Sequence, residues 1–190
     1  MAETFLKHSE WKIRGITRDP SKPNAQALTV KGVEVVKADI EDKASLIQAF
    51  TGAHAIFAVT DFWAFVRDPE AAKAAGKRIN EYAYDREVQQ GQNIADAAAD
   101  PAVLKTLQRF VYSSLSNVRK WSRGKYTLVY HFDSKAQVVE YIKNRHPDLN
   151  ARTSTVQIGE YADNWRNPAL APHKVRLPTL PQISQLFLSY

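Results

Sequence analysis

The sequence predicts an α/β fold: a Rossmann-like parallel sheet with helices on both faces, lacking its first strand and glycine-rich loop. Three observations predict it. Strand-like stretches alternate with helix-like ones at the spacing of βαβ units, which demand parallel pairing. Residues 53–60, "AHAIFAVT", form a near-continuous apolar run, the pattern of a strand buried on both faces. The first strand-like stretch, "WKIRGIT", starts at Trp11 with no glycine-rich turn before it.

The elements follow in order. "AETFLKHS" reads as a short helix with Phe5 and Leu6 as its apolar contacts. "WKIRGIT" alternates like a strand and stops at Asp19-Pro20. Ser21 is placed to cap a helix reaching about Val30, and Gly32 to end it. "VEVVKAD" is the next strand, closing on Asp39. "DKASLIQAF" is a helix with Leu46, Ile47 and Phe50 on one face, ended by Gly52. After the apolar strand, residues 61–78 read as a loop with a short Ala-rich turn. A longer helix carries Tyr84, Val88, Gly91, Ala95 and Ala98 on one face, with Gly91 allowing close packing on the sheet. "LQRFVYSSL" is a strand, residues 117–130 a basic and aromatic loop, "HFDSKAQVVEYIKNR" a helix, and "ARTSTVQIG" the last strand. Residues 1–165 form the domain. Residues 166–190, rich in proline, read as an irregular tail.

Composition narrows the function classes. The chain has 190 residues, 44% of them hydrophobic, enough for one core. It has no cysteine, which excludes disulfides, thiolate metal sites and thiol nucleophiles. No apolar run approaches the roughly 18 residues of a membrane span, and "MAETFLKHSEW" has no apolar signal core. A cytoplasmic or nuclear location fits both. The net charge of +6 permits attraction to polyanions without establishing it. The loop "NVRKWSRGKY" mixes cations with Trp121 and Tyr126, but matches no nucleic-acid module, so direct nucleic-acid binding is not expected. No metal site is expected.

Open α/β sheets bind ligands outside the carboxyl ends of their strands. Thr17, Arg18 and Lys22 stand at the first such end. A basic residue there suits the 2′-phosphate of NADP, where an acidic one would suit NAD; a solvated Arg18 is the plainer alternative. Asp39 and Ile40 stand at the next end, as an adenine wall or as a helix cap. Val59, Thr60, Asp61, Phe62 and Trp63 follow the apolar strand. Tyr112, Ser113 and Ser114 end the next, where a short-chain reductase carries its catalytic hydroxyl. Such an enzyme pairs that hydroxyl with a Tyr four residues before a Lys. Here Lys135 has His131 four residues earlier and Tyr130 five earlier. At about 100° per residue, His131 lies on the face of Lys135 and Tyr130 does not.

"TRDPSK", "VVKADIEDKASL", "AIFAVTDFW", "EVQQGQNIADAA", "RFVYSSLSN", "HFDSKAQVVEYI" and "EYADNW" together resemble the NmrA-like family, with a fungal flavour, across about Glu3 to Trp165. The family belongs to the atypical short-chain dehydrogenase/reductase superfamily. The resemblance implies an NAD(P)-binding fold and a regulator that senses NADP and acts through protein contact. One branch restrains a GATA-type transcription factor in nitrogen metabolite repression, so a partner of that kind is implied. The alternative is an NADPH-dependent oxidoreductase. By resemblance, Arg18 and Lys22 hold the 2′-phosphate, Asp39 and Ile40 wall the adenine, and Thr60 and Phe62 lie near the nicotinamide. Lys135 is the ribose lysine, and Tyr161 with Asn164 forms the turn after the last strand.

Two departures set further expectations. No two of the seven glycines are close enough to build the family's GxxGxxG loop, so impaired dinucleotide binding is expected. Loss of the strand before that loop would leave its two neighbours with exposed apolar edges or force them together. Beyond Trp165 the family pattern is not legible, and the chain reads as truncated at both ends. With His131 in place of the catalytic Tyr, turnover is not expected; His131 and Ser113 are the remaining catalytic candidates.

Overall fold

The computed structural model describes residues 2–159 together with Asn164 and Arg166. Two compact units divide the chain, Met1–Ile158 and Gly159–Tyr190; the fold below is that of the first. The tail expected over residues 166–190 lies, Arg166 apart, outside the described residues.

The elements in order are α1 (Ala2–Phe5), β1 (Arg14–Thr17), α2 (Pro23–Val30), β2 (Glu34–Lys37), α3 (Lys43–Phe50), β3 (Ala55–Ala58), α4 (Phe62–Val66) and α5 (Pro69–Ala74). Then come α6 (Ile79–Ala98), α7 (Pro101–Leu104), β4 (Arg109–Ser114), α8 (Val118–Trp121), α9 (Tyr130–Arg145), α10 (Pro147–Asn150) and β5 (Thr153–Gln157). Every expected strand and long helix is present, and the strands are shorter than their apolar patterns. The expected loop over residues 61–78 instead holds α4 and α5. Asp61 starts α4 by accepting from the Trp63 N–H, and Asp68 starts α5 by accepting from the Ala71 N–H. Ser21 does not cap α2. Its N–H and hydroxyl both donate to the Asp19 carboxylate, at 2.9 and 2.6 Å, so Lys22 precedes α2 and Pro23 occupies its first turn. Asp42 caps α3, accepting from Ala44 and Ser45.

Among the described residues all pairing is parallel, but it forms two sheets. β1 pairs with β2, and β3, β4 and β5 form a separate three-stranded sheet. Among the described residues β1 and β3 therefore each keep an unpaired edge. "AHAIFAVT" is not buried on both faces. Ile56 and Ala58 are buried, whereas Phe57 is 43% exposed and Val59 55% exposed. The physical reason is that one helical layer covers β3. The core joins Leu46 and Phe50 of α3, Ile94, Ala95 and Ala98 of α6, and Val138 and Ile142 of α9 to Ile56, Phe110 and Tyr112. Ala38 and Val36 of the β2 segment meet the same core, so α3 links the two sheets.

Gly91 does allow a close approach, but to a helix and not to the sheet. A Cβ there would stand 2.2 Å from Val138 Cγ2 and 2.8 Å from Cγ1. α6 and α9 thus touch backbone to side chain at this rung. Gly91→Ala should destabilise the fold by about 1–3 kcal/mol through overpacking. Adding Val138→Ala should restore part of that loss. Urea unfolding of the single and double variants measures both.

Candidate functional site

A buried polar cluster lies just past the carboxyl end of β3. Thr60 follows β3, α6 contributes Glu87, β4 contributes Tyr112, and α9 contributes Ser134 and Lys135. The Glu87 side chain is fully buried and that of Lys135 is 13% exposed. Lys135 Nζ donates to Glu87 Oε1 at 2.7 Å, to the Thr60 carbonyl at 2.7 Å and to Thr60 Oγ1 at 3.1 Å. That accounts for all of its N–H donors. Thr60 gives its own hydroxyl proton to Glu87 Oε1 at 2.8 Å. The 3.3 Å contact between Thr60 Oγ1 and Tyr112 must then have the phenol as donor. Ser134 Oγ donates to Glu87 Oε2. Both carboxylate oxygens are satisfied, which is the condition for keeping a charge dry. Burial pushes the Tyr112 phenol far up, so it stays a neutral donor.

His131 stands one turn before Lys135 on α9. Its ring lies 5.1 Å from that of Trp63, 5.9 Å from Phe62 and 4.8 Å from Phe132. Burial lowers its pKa, Glu87 opposes the shift, and Lys135 adds to it. Phe62 is buried at the start of α4, while Trp63 is half exposed. Tyr130 turns away as the helix geometry predicts, its ring edge-on to Tyr84. Ser113 is not brought into the cluster. β4 alternates, so Tyr112 and Ser114 point to the helical layer and Ser113 to the other face.

Arg18 and Asp39 meet at the other strand ends, lining a cavity of about 200 Å³ with Lys37, Ala38, Asp42 and Ser45. Neither Arg18, Lys22 nor Lys37 forms an ion pair among the described residues. Asp39 accepts from the Glu41 N–H at 3.0 Å, and its own N–H donates to Ser45 Oγ at 3.0 Å. Ile40 packs on the core, and its carbonyl accepts from Asn93 at 2.9 Å. Tyr161 lies outside the described residues, and Asn164 belongs to the second unit. The cavity thus brings the cations of Arg18 and Lys37 beside the carboxylates of Asp39 and Asp42, and Lys22 is not part of its lining. The described glycines build no pyrophosphate cradle: Gly32, Gly52 and Gly76 take positive φ singly, and Gly124 does so together with Arg123 before it. No cluster among the described residues could hold a metal, and no described helix is long and apolar enough to cross a membrane.

A model of the NmrA-like family matches residues 1–182. The chain belongs to the NmrA-like family. The match continues past Trp165, where the family pattern stops being legible in the sequence. The chain is 32% identical over 143 residues to the NmrA-like family domain-containing oxidoreductase malD of Malbranchea aurantiaca, covering 74% of this chain and 38% of that one. It is 28% identical over 175 residues to oxidoreductase hkm9 of Aspergillus hancockii, covering 90% of this chain and 45% of that one. The chain thus spans less than half the length of these relatives. Among solved structures, the negative transcriptional regulator NmrA has the same fold, with TM-score 0.59 and 19% identity over 86% of this chain and 42% of that one. So has the NADPH-dependent quinone oxidoreductase QOR2 of Escherichia coli, with TM-score 0.57 and 19% identity over 90% of this chain and 48% of that one. The triphenylmethane reductase of Citrobacter sp., solved with NADP(H), is similar at TM-score 0.57 and 17% identity, over 89% of this chain and 48% of that one. At these identities the likeness shows a shared fold.

Sequence reasoning found Thr60 and Lys135 but missed Glu87, Ser134 and Lys37. The signal for Glu87 was present. It sits one turn before Gly91, on the buried stripe of α6, where a carboxylate needs a partner. Thr60→Val should cost about 1–3 kcal/mol, because Tyr112 and Lys135 lose an acceptor and Glu87 a donor; Thr60→Ser should not. The lowered pKa of His131 has a definite sign. Its stabilising neutral form is intact above its unfolded pKa of about 6.5 and is lost as pH falls toward the lower folded value. Urea midpoints at pH 7.5 and 5.5 should therefore fall more on acidification for the wild type than for His131→Phe.

Proposed function

We propose that the chain carries an NADP(H)-linked oxidoreductase site centred on Lys135. The observation behind this reading is the position of that ammonium. It stands at the carboxyl end of β3, where open α/β sheets bind ligands, and Glu87 and Thr60 fix it at 2.7 Å. His131 is one turn away, against Phe62 and Trp63. The two fungal relatives, both named as oxidoreductases, support the same class.

In this reading Arg18, Lys22 and Lys37 hold the adenosine 2′-phosphate, with Asp39 and Ile40 beside the base. When bound, the dinucleotide supplies a hydride. Lys135 orients the ribose, and one of its donors must leave Thr60 or Glu87 to do so. His131, in the place of the usual tyrosine, holds the proton for the reduced substrate. Burial holds its pKa below the ordinary histidine value, so acid-assisted reduction should speed up as pH falls. Phe62 and Trp63 wall a space suited to a flat, conjugated hydride acceptor.

A second reading has its own support. Every Lys135 donor is already satisfied by protein, and the NmrA structure is that of a negative transcriptional regulator. In that reading the NADP state is sensed at the same site without turnover. The output is contact with a protein such as a GATA-type factor.

Calorimetry and NADPH oxidation together separate the two. Arg18→Ala should weaken 2′,5′-ADP roughly tenfold or more and leave 5′-AMP unchanged, a loss of one charge-assisted contact. With a quinone or a triphenylmethane dye as acceptor, NADPH consumption that Lys135→Ala abolishes supports the oxidoreductase. NADPH binding without consumption of either acceptor selects the regulator instead.

A further inference from the structure

We infer a second anion site at the opposite end of the three-stranded sheet, for the phosphate group of a small molecule. It is independent of the Lys135 site. A cleft of about 560 Å³ opens at the amino ends of β3, β4 and β5, within the size range of small-molecule pockets. His54 precedes β3, Arg109 begins β4, Arg152 precedes β5, and Leu104 and Lys105 end α7. Thr106, Leu107 and Gln108 complete the lining, which holds cations but no carboxylate.

The cations are unpaired and one is pre-set. Neither Lys105, Arg109 nor Arg152 forms an ion pair among the described residues. Arg152 Nη1 donates to the Leu104 carbonyl at 2.7 Å and to the Leu107 carbonyl. These bonds fix the guanidinium plane against the end of α7. Among the described residues its Nε and Nη2 have no hydrogen-bond acceptor, and neither is a fully buried unsatisfied atom. Capping the α7 carbonyls accounts for Nη1 alone. It does not account for the free edge of the fork, for Lys105, or for Arg109, which spends only Nη1 on the Gln108 carbonyl at 2.9 Å. A fixed guanidinium edge with two further cations matches the oxygens of a phosphate, which an arginine takes bidentately. Thr106 Oγ1 is committed to the Ala53 carbonyl at 2.9 Å and holds the cleft floor to the start of β3.

The test uses inorganic pyrophosphate as probe on the isotopically labelled chain, at low salt, followed by amide chemical shifts. Saturable shifts confined to His54, residues 104–109 and Arg152 are the expected result. The Lys105→Ala/Arg109→Ala double variant, altered only at exposed side chains, should keep its spectrum elsewhere and bind about tenfold or more weakly. Arg18→Ala should leave this binding unchanged. Shifts that stay linear to the highest concentration, or that persist at full affinity in the double variant, overturn the site. Shifts gathered instead at Arg18, Lys37 and Asp39 overturn it as well.

Discussion

The buried carboxylate of Glu87 is the constraint on which the arrangement of this molecule depends. A charge removed from water costs several kcal/mol unless partners meet it with good geometry. Here the partners come from the end of β3 and from α9, with Tyr112 of β4 joined through Thr60. Those elements must stand in fixed relation for the charge to be tolerated. Gly91 belongs to the same device. It lies one turn beyond Glu87 on α6, as Val138 lies one turn beyond Ser134 on α9. The missing Cβ at Gly91 lets the helices close until Ser134 reaches Glu87. Packing at one rung and electrostatics at the next are a single solution.

That solution also explains how two short sheets hold one core. Among the described residues each of β1 and β3 has a free edge, and no strand hydrogen bond joins the sheets. The continuity lies in the helical layer: α3 packs on β2 and on α6, α9 packs on α6 and on β4, and their apolar residues form one cluster with Ala38 and Ile56. Smaller contacts support the link. Arg14 of β1 donates to the carbonyls of Ala49 and Thr51 at the end of α3, at 2.9 and 3.0 Å. The uncovered side of the larger sheet carries Phe57 and Val59, an apolar surface that the helical layer does not reach.

Periodicity and punctuation made the elements legible. Alternation showed β1, a near-continuous apolar run showed β3, the stripe from Tyr84 to Ala98 showed α6, and Gly32 and Gly52 marked helix ends that the structure sets at positive φ. The helix arithmetic that put His131 on the face of Lys135, and Tyr130 off it, also holds. What stayed illegible depended on contacts between distant segments. An apolar run cannot announce that only one of its faces will be covered, and so Phe57 read as core. Ser21 read as a cap because the competing Asp19 carboxylate is a matter of local geometry. Glu87 read as one more polar residue on a helix, because its partners lie 27 to 48 positions away. Gly91 was read correctly as a close approach but assigned to the sheet, whereas its neighbour is Val138 on α9.

The central claim is that Glu87 and Lys135 form one coupled unit. The most direct measurement is a double-mutant cycle of Glu87→Gln and Lys135→Met, read by urea unfolding at neutral pH. Each single change should cost about 3 kcal/mol by leaving its partner buried and unmatched. The double variant should cost less than the sum by about 2 kcal/mol or more. Losses that add to within about 0.5 kcal/mol would mean independent residues and would contradict the account.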